Sequence, residues 1–159
     1  MPDFAFRLRP TRRVGILVSR YNEVVTGRLL DGALACCAEA GMSRDAIDVV
    51  WVPGAYELPV VAAGAAETGR YGCLVALGAV IRGETPHFEF VAGEAARGLT
   101  EVALQHCLPI GFGLLTVDTM QQAVDRAGGS GGNKGYEEAA AALGAADALA
   151  QLWDSDAED

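Results

Sequence analysis

A histidine follows a loop that contains glycine and proline near the middle of the chain, at residues 83–87. Thr85 can cap a helix that starts here, and Pro86 is favoured at the first helical position. The free backbone N–H groups of such a helix start can bind phosphate. His87, one residue later, has the side chain best suited to proton transfer near neutral pH. The local pattern fits both a phosphate and proton-transfer site and an ordinary capped helix.

Three other charged residues could take part in the same chemistry. Lys134 is the only lysine of the chain and could form a Schiff base, although a lysine beside glycines is more often simply exposed. Arg126 could hold a phosphate group or be a solvated helix residue. Glu57 could be no more than a favourable charge at a helix N-terminus.

Several familiar catalytic motifs are not formed. Residues 87–89 imitate the H-x-E of zinc deaminases, but no P-C-x-x-C follows, and two histidines with scattered cysteines give no metal cluster. Residues 128–135 lack P-loop spacing, and no G-x-G-x-x-G follows the first apolar run. The GGSGG of residues 128–132 is interpreted as a flexible connector between two helices. We therefore expect no metal and no cofactor.

The elements that must position these residues alternate in type along the chain. Apolar runs typical of buried strands occupy residues 14–19, 47–53, 73–81 and 110–117. Helical stretches are predicted at residues 23–40, 55–68, 86–107, 119–127 and 136–153. This alternation indicates parallel strands joined by right-handed crossovers. The predicted fold class is α/β, a three-layer α/β/α sandwich with a small open parallel sheet of flavodoxin-like topology.

Ligands of such sheets bind beyond the carboxyl ends of the strands. The segments that follow the first three predicted strands are residues 19–22, 53–57 and 78–87. All three are rich in glycine and polar residues, so we expect the candidate site to be built from them.

Size and charge narrow the class of protein further. With 159 residues and 16.5 kDa the chain has the length of one domain. Its net charge of −9 disfavours nucleic acids and anionic membranes as partners. The longest apolar run, residues 73–81, is too short to span a bilayer. Without a visible secretory signal, the four cysteines are expected to be buried free thiols in the cytoplasm: Cys36, Cys37, Cys73 and Cys107.

The two ends are expected to differ from the body of a single domain that covers residues 1–159. In the N-terminal arm, residues 1–12, the alternation of Phe4, Phe6 and Leu8 favours a short strand over a transit peptide. Residues 154–159 carry four acids and are expected to form a frayed, solvated tail.

Five segments together resemble the lumazine synthase family. They are SRYNEVVTGRLLDGA, VPGAYELPVVA, GAVIRGETPHFEFV, FGLLT and DRAGGSGGNKGYEEA, and the similarity extends from residue 13 to about residue 150. The resemblance implies a transferase that condenses 5-amino-6-(D-ribitylamino)uracil with 3,4-dihydroxy-2-butanone 4-phosphate. The products are 6,7-dimethyl-8-ribityllumazine, phosphate and water, in the penultimate step of riboflavin biosynthesis. It also implies that no cofactor is needed.

The resemblance further implies a role for each matching residue. Tyr21 would stack on the pyrimidine ring, a position where the family more usually has Phe or Trp. His87 would transfer protons, and Phe112 would form a wall of the site. The remaining matches would bind the ribityl chain (Ala55, Tyr56, Glu57), the pyrimidinedione (Ala79, Val80, Ile81) and the phosphate (Glu84, Thr85, Arg126).

The resemblance also implies a homo-oligomer, either a pentamer or an icosahedral shell of pentamers, with riboflavin synthase as a possible partner. Phe112 lies near the start of the fourth strand, away from the other loops, so we expect it to serve a neighbour's site. The N-terminal arm would pair with an adjacent subunit. Alternatives are a catalytically weak lumazine- or flavin-binding protein, a shell-forming homologue and a flavodoxin-like redox protein. The presence of both His87 and Arg126 favours the enzyme.

Overall fold

Four parallel strands form the central sheet of the protein, of which a computed structural model describes residues 3–157. The strands are β1 (Val14–Ser19), β2 (Ile47–Val52), β3 (Cys73–Ile81) and β4 (Ile110–Val117), in the spatial order β2-β1-β3-β4. Three of the four predicted strands have the expected bounds, and β2 ends one residue early. This order places β2 and β4 at the two edges of the sheet.

Helices cover both faces of the sheet, which confirms the three-layer prediction. They are α1 (Glu23–Glu39), α2 (Leu58–Glu67), α3 (His87–His106), α4 (Met120–Asp125) and α5 (Lys134–Ala157). Buried residues of α1, α4 and α5 share one core cluster with the sheet, and those of α2 and α3 share the other. No helix of residues 3–157 has the length and apolar character needed to cross a membrane.

Alternate residues of each central strand supply the two cores. In β1, Ile16 and Val18 face α1 and α5, whereas Leu17 faces α2 and α3. All six residues of β1 are buried, as expected for a parallel strand covered on both sides. A fully buried side chain of this size contributes about 1.5–3 kcal/mol of transfer free energy, so the continuous apolar runs fix where the strands lie.

Two glycines follow the ends of α1 and α2, and a proline lies at the start of α2. Gly41, which follows α1, has a φ of 95°, and Gly69, which follows α2, has a φ of 69°. These left-handed conformations suit glycine at the end of a helix. Pro59 lies in the first turn of α2, where its missing N–H has no helical partner to lose.

The glycine-rich segment between α4 and α5 is a hairpin, so its interpretation as a flexible connector is wrong. Strands β5 (Ala127–Gly129) and β6 (Gly132–Asn133) pair antiparallel. Gly128 and Gly132 have φ values of 97° and 81°. A Cβ at Gly129 would stand 2.8 Å from the carbonyl oxygen of Val124. The glycines therefore permit a tight turn packed against the end of α4.

The described part of the N-terminal arm, residues 3–12, forms no strand. Residues 3–11 are irregular, so the strand predicted at residues 4–8 does not form within the chain, and its pairing with a neighbouring subunit stays a prediction. Side chains nevertheless tie the arm to the body. Arg7 Nε lies 2.8 Å from Asp147 Oδ2 on α5.

A second tie joins the end of the arm to β2. Arg13 donates to both carboxylate oxygens of Asp48, at 2.9 and 2.8 Å, and the Tyr71 hydroxyl donates to the same carboxylate at 2.6 Å. These donors hold the pKa of Asp48 well below its usual range. The arm therefore enters β1 from a fixed point.

The acidic tail differs from the expectation along much of its length. Helix α5 continues through Ala157, so residues 154–157 are helical, and residues 158–159 lie outside the described part of the chain. The alanine-rich sequence before the acids explains this continuation, because alanine has the highest intrinsic helix propensity.

Three of the four cysteines confirm the prediction of buried free thiols. Cys36, Cys37 and Cys73 are fully buried, and burial raises the pKa to about 11 for the first two and to about 12 for Cys73. Such thiols are neutral and unreactive near pH 7. For Cys107 the prediction is wrong, because this residue is exposed. It ends α3 in a left-handed conformation with a φ of 48°.

Candidate active site

The carboxyl ends of β1, β2 and β3 lie side by side, because the strands are parallel; this end of the sheet is called its carboxyl edge. Ser19 of β1 pairs with Val52 of β2, and Val18 pairs with Leu77 of β3. Parallel pairing thus brings together the loops on which most of the predicted site residues lie. We call these residues the carboxyl-edge group: Tyr21, Ala55, Tyr56, Glu57, Ala79, Val80, Ile81, Glu84, Thr85 and His87.

The loop after β1 presents an aromatic side chain and is fixed by an asparagine. Tyr21 is 72% exposed, and its N–H donates to the carbonyl of Pro53 at 3.1 Å. Asn22 precedes α1 in a left-handed conformation with a φ of 61°. Its Nδ2 donates to the carbonyl oxygen of Ala79 at 2.9 Å.

Asn22 therefore links the loop that carries Tyr21 to the end of β3. Sequence reasoning did not single it out. The available signal was an asparagine directly before a helix and after a strand, since asparagine is among the few residues that tolerate this conformation.

The loop after β2 forms one short 3₁₀ turn, Ala55–Glu57. Ala55 is buried, Tyr56 is 63% exposed and Glu57 is partly buried. A Cβ at Gly54 would stand 3.2 Å from Oε2 of Glu57, so the carboxylate folds back over this glycine. The loop therefore places a hydrogen-bond acceptor and an exposed phenol beside each other.

The loop after β3 leads directly into α3. Ala79 is buried, Val80 and Ile81 are partly buried, and residues 82–87 are exposed. Helix α3 begins at His87, one residue later than predicted, so Pro86 is the N-cap residue instead of the first helical one. The first turn closes when the Glu89 N–H donates to the carbonyl of Pro86 at 3.0 Å.

Thr85, which was predicted to cap the helix, therefore lies one residue before the actual N-cap. Its hydroxyl still accepts from the N–H of His87, at a long 3.5 Å. The exposed start of the 20-residue α3 carries His87 in its first turn. The arrangement matches the predicted combination of a helix N-terminus with a proton-transfer side chain.

Phe112 and Arg126 lie in a separate groove along the edge strand β4. This β4 groove has a volume of about 400 Å³. Its walls include Phe112, Arg126, Lys134 and Glu137, and no member of the carboxyl-edge group is among the described residues that line it. Phe112 is 38% exposed and pairs with Ala76, three residues before Ala79 along β3.

Two basic side chains and one carboxylate, that of Glu137, line the β4 groove. The exposed Arg126 follows α4 and donates through Nη1 to the carbonyl of Gln122 at 3.0 Å. Lys134 Nζ lies 3.0 Å from Glu138 and 3.8 Å from Glu137. Arg126 carries no such carboxylate partner among its described hydrogen bonds, so its charge remains available to an anion.

The hairpin between these two basic residues is held against α1 by Asn133. Its Nδ2 donates to the carbonyl of Arg28 at 3.0 Å, and its Oδ1 accepts from the N–H of Tyr136 at 3.1 Å. Gly135 abuts the carbonyl of Leu29 so closely that no larger residue fits there. Asn133 was missed by sequence reasoning, although an asparagine just before a helix is a frequent N-cap.

The structure thus brings ten predicted site residues together and leaves two in another place on the same chain. Comparison with known proteins identifies the family to which these site residues point. The sequence model for 6,7-dimethyl-8-ribityllumazine synthase matches residues 11–150, most of the chain. The chain belongs to the lumazine synthase family.

A curated relative agrees with this assignment and confirms the resemblance. The 6,7-dimethyl-8-ribityllumazine synthase of Nitratidesulfovibrio vulgaris (strain DSM 19637 / Miyazaki F) is 48% identical over 140 residues. The alignment covers 88% of this chain and 90% of the relative. Both the carboxyl-edge group and the β4 groove lie within the region that matches the lumazine synthase family.

Proposed function

We propose that the protein is a 6,7-dimethyl-8-ribityllumazine synthase, which condenses 5-amino-6-(D-ribitylamino)uracil with 3,4-dihydroxy-2-butanone 4-phosphate. Membership of the family is the observation that carries the proposal. The geometry adds that the stacking residue, the backbone of residues 79–81 and the histidine share one sheet edge. The buried thiols of the core support action in the cytoplasm.

The pyrimidine substrate fits the middle of the carboxyl-edge group. Tyr21 offers an exposed ring for stacking on the pyrimidine. The backbone of Ala79, Val80 and Ile81 offers hydrogen-bonding groups to the pyrimidinedione edge. Residues 55–57 border the ribityl chain, with Glu57 accepting hydrogen bonds from its hydroxyl groups.

The phosphate substrate fits the exposed start of α3. Glu84 and Thr85 lie in the loop before this helix, and the start of a helix can bind an anion through its backbone N–H groups. Glu84 carries a negative charge, so the positive contribution must come from elsewhere. We assign it to Arg126 of an adjacent subunit, whose β4 groove also supplies Phe112.

His87 moves protons between the reacting groups. The amine of the pyrimidine adds to the ketone and water leaves, which gives an imine. Loss of a carbon-bound proton then accompanies departure of phosphate, and the second amine closes the ring with loss of another water. An imidazole at the start of α3 can accept and return these protons near neutral pH.

Mixing the purified protein with both substrates and following the absorbance of the lumazine tests the proposal. A blank without enzyme is essential because the amine and the ketone react unaided. A rate above the blank that is proportional to protein concentration supports the enzyme. Tight binding of lumazine without such a rate would instead indicate the catalytically weak binding protein.

We expect His87→Ala to lower turnover and leave the fold intact. Acid–base groups typically contribute about 10²–10⁴-fold, and we expect the low end because orientation of two reactive substrates supplies much of the acceleration. The residue is exposed, so its removal leaves no cavity. The measurement is kcat between pH 6 and 8, where imidazole titrates. If the variant and the wild type have the same kcat throughout that pH range, His87 has no part in the mechanism.

We further propose that the subunits form pentamers and that the pentamers assemble into a larger shell. In the family, pentamers that do not assemble often carry an insertion between the positions of Arg126 and Asn133. Here those residues flank a tight hairpin, β5 and β6, without added length. Light scattering at micromolar concentration should therefore detect particles well above pentamer mass. A lone pentamer at that concentration would contradict the proposal.

A further inference from the structure

Arg82 occupies the junction between β3 and the loop that leads to α3. Its N–H donates to the carbonyl of Val117 at 2.8 Å, which extends the pairing of β3 with β4 by one residue. The backbone of Arg82 is thereby fixed, whereas its side chain is about half exposed, at 47%. The side chain projects from a fixed point beside residues 83–86.

The Arg82 guanidinium connects elements on both sides of this loop. Nε lies 2.9 Å from Oδ1 of Asp118, which follows β4. Nη1 lies 3.4 Å from Oε1 of Glu89, in the first turn of α3. The guanidinium carbon also lies 4.5 Å from the centroid of the Phe88 ring, within cation–π range.

Residues 83–86 themselves have little packing to hold them. All four are exposed, and a Cβ at Gly83 would meet no atom within 4 Å. The direction of the first turn of α3 therefore depends on contacts made just outside the loop. The Arg82 side chain joins that turn to the end of β4.

We propose that Arg82 is a positioning residue for the phosphate-binding loop, residues 83–86, which it holds through Asp118 and the first turn of α3. This inference rests on the proposed function, because that function places the phosphate substrate at this helix start. Arg82 acts here by fixing the position of the backbone at the start of α3, not as a phosphate ligand.

An electrostatic role for Arg82 makes a different prediction. Glu84, Glu89 and Asp118 place three carboxylates around the loop, and Arg82 offsets part of their charge. If charge alone mattered, removing the carboxylate of Asp118 would strengthen the binding of an anion. If Arg82 positions the loop through Asp118, the same change weakens anion binding. Asp118→Asn therefore separates the two roles by the sign of its effect.

The experiment measures KM for each substrate and the dissociation constant of inorganic phosphate. For Arg82→Gln we expect the phosphate constant and the KM of the butanone phosphate to rise about tenfold, the combined effect of one exposed ion-pair network and one cation–π contact. Asp118→Asn should raise both about threefold, as loss of a single exposed pair does. The KM of the pyrimidine should change by less than about twofold, because no contact of Arg82 reaches its predicted subsite.

A double variant, a conservative variant and a control variant complete the experiment. The double variant should be no weaker than Arg82→Gln alone, since both changes remove one interaction. Arg82→Lys should be intermediate, because an ammonium group can pair with Asp118 but lacks the planar fork. Arg97→Gln is the control: this arginine of α3 also bridges two carboxylates, Glu94 and Glu101, and is exposed. Its removal should leave all three constants unchanged.

The outcomes distinguish failure of this inference from failure of the proposed function. Tighter phosphate binding by Asp118→Asn would overturn the positioning role, and so would equal changes in the KM of both substrates. Neither result affects the proposed function, provided that the wild type forms lumazine. If Arg82→Gln does not fold, the sign of the effect of Asp118→Asn decides alone. If the wild type forms no lumazine, the proposed function fails, and phosphate binding still reports on the loop.

Discussion

Replacing Arg126 by alanine should lower kcat/KM by about 10²–10³-fold, which corresponds to about 3–4 kcal/mol for a truncated charge pair in a closed interface. Arg126 lies in the β4 groove, and in the proposed site the loops of the next subunit close over it. The phosphate group of the substrate would then lose its cationic partner in a place shielded from water. The loss should appear mainly in the KM of the butanone phosphate and in the inhibition constant of inorganic phosphate.

Two further variants show whether this loss reflects phosphate recognition. Arg126→Lys should recover part of the activity, because lysine keeps the charge but cannot bind phosphate through two parallel donors. Arg28→Ala, which removes an exposed arginine of α1 outside both residue groups, should behave as the wild type. An Arg126→Ala enzyme with unchanged affinity for phosphate would remove this residue from the site.

The strands were predictable from the sequence because burial on both faces leaves a continuous apolar run. Several helix ends were not: α2 begins three residues later than predicted, and α5 begins two residues earlier and ends four residues later. Residues 14–19, 73–81 and 110–117 have the bounds that their composition indicates. Gly41 and Gly69 follow α1 and α2, since the left-handed conformation at these points favours glycine. These features depend on local sequence and on one sheet, so no long-range information is needed.

Features that depend on long-range packing were not predictable in the same way. The hairpin at residues 127–133 forms because Asn133 bonds to α1, more than a hundred residues away along the chain. Cys107 has apolar neighbours only on its C-terminal side, because Gln105 and His106 precede it. It is exposed because it ends a helix in a left-handed turn.

The candidate site shows the same division. His87 was identified from its place after a strand, whereas the roles of Tyr21 and Glu57 came from the resemblance to the family. Asn22 and Arg82 were not identified, because their contacts to Ala79 and Asp118 exist only in the folded chain. The separation of Phe112 and Arg126 from the carboxyl-edge group was inferred from strand position for Phe112 alone.

This separation makes rescue between two inactive variants the sharpest test of a shared site. If His87 comes from one subunit and Arg126 from its neighbour, a ring of His87→Ala chains lacks the proton carrier in every site. A ring of Arg126→Ala chains lacks the phosphate clamp in every site. Each chain nevertheless retains the half-site that the other has lost.

Unfolding the two variants, mixing them equally and refolding should therefore restore activity. In a ring each subunit offers one half-site to each side, since the interface is heterologous. With random assortment, roughly a quarter of the interfaces join an intact His87 to an intact Arg126. The mixture should reach about a quarter of the wild-type rate, far above the mean of the two variants measured separately.

Mixing the assembled variants without unfolding is the control, and it should give no rescue while the rings exchange subunits slowly. Mass measurement of the refolded sample must confirm that mixed rings have formed. The β4 groove contains Arg126 and no described residue of the carboxyl-edge group, so the geometry favours two chains per site. If confirmed mixed rings show only the average of the parent activities, both residues act within one chain and the interface arrangement is wrong.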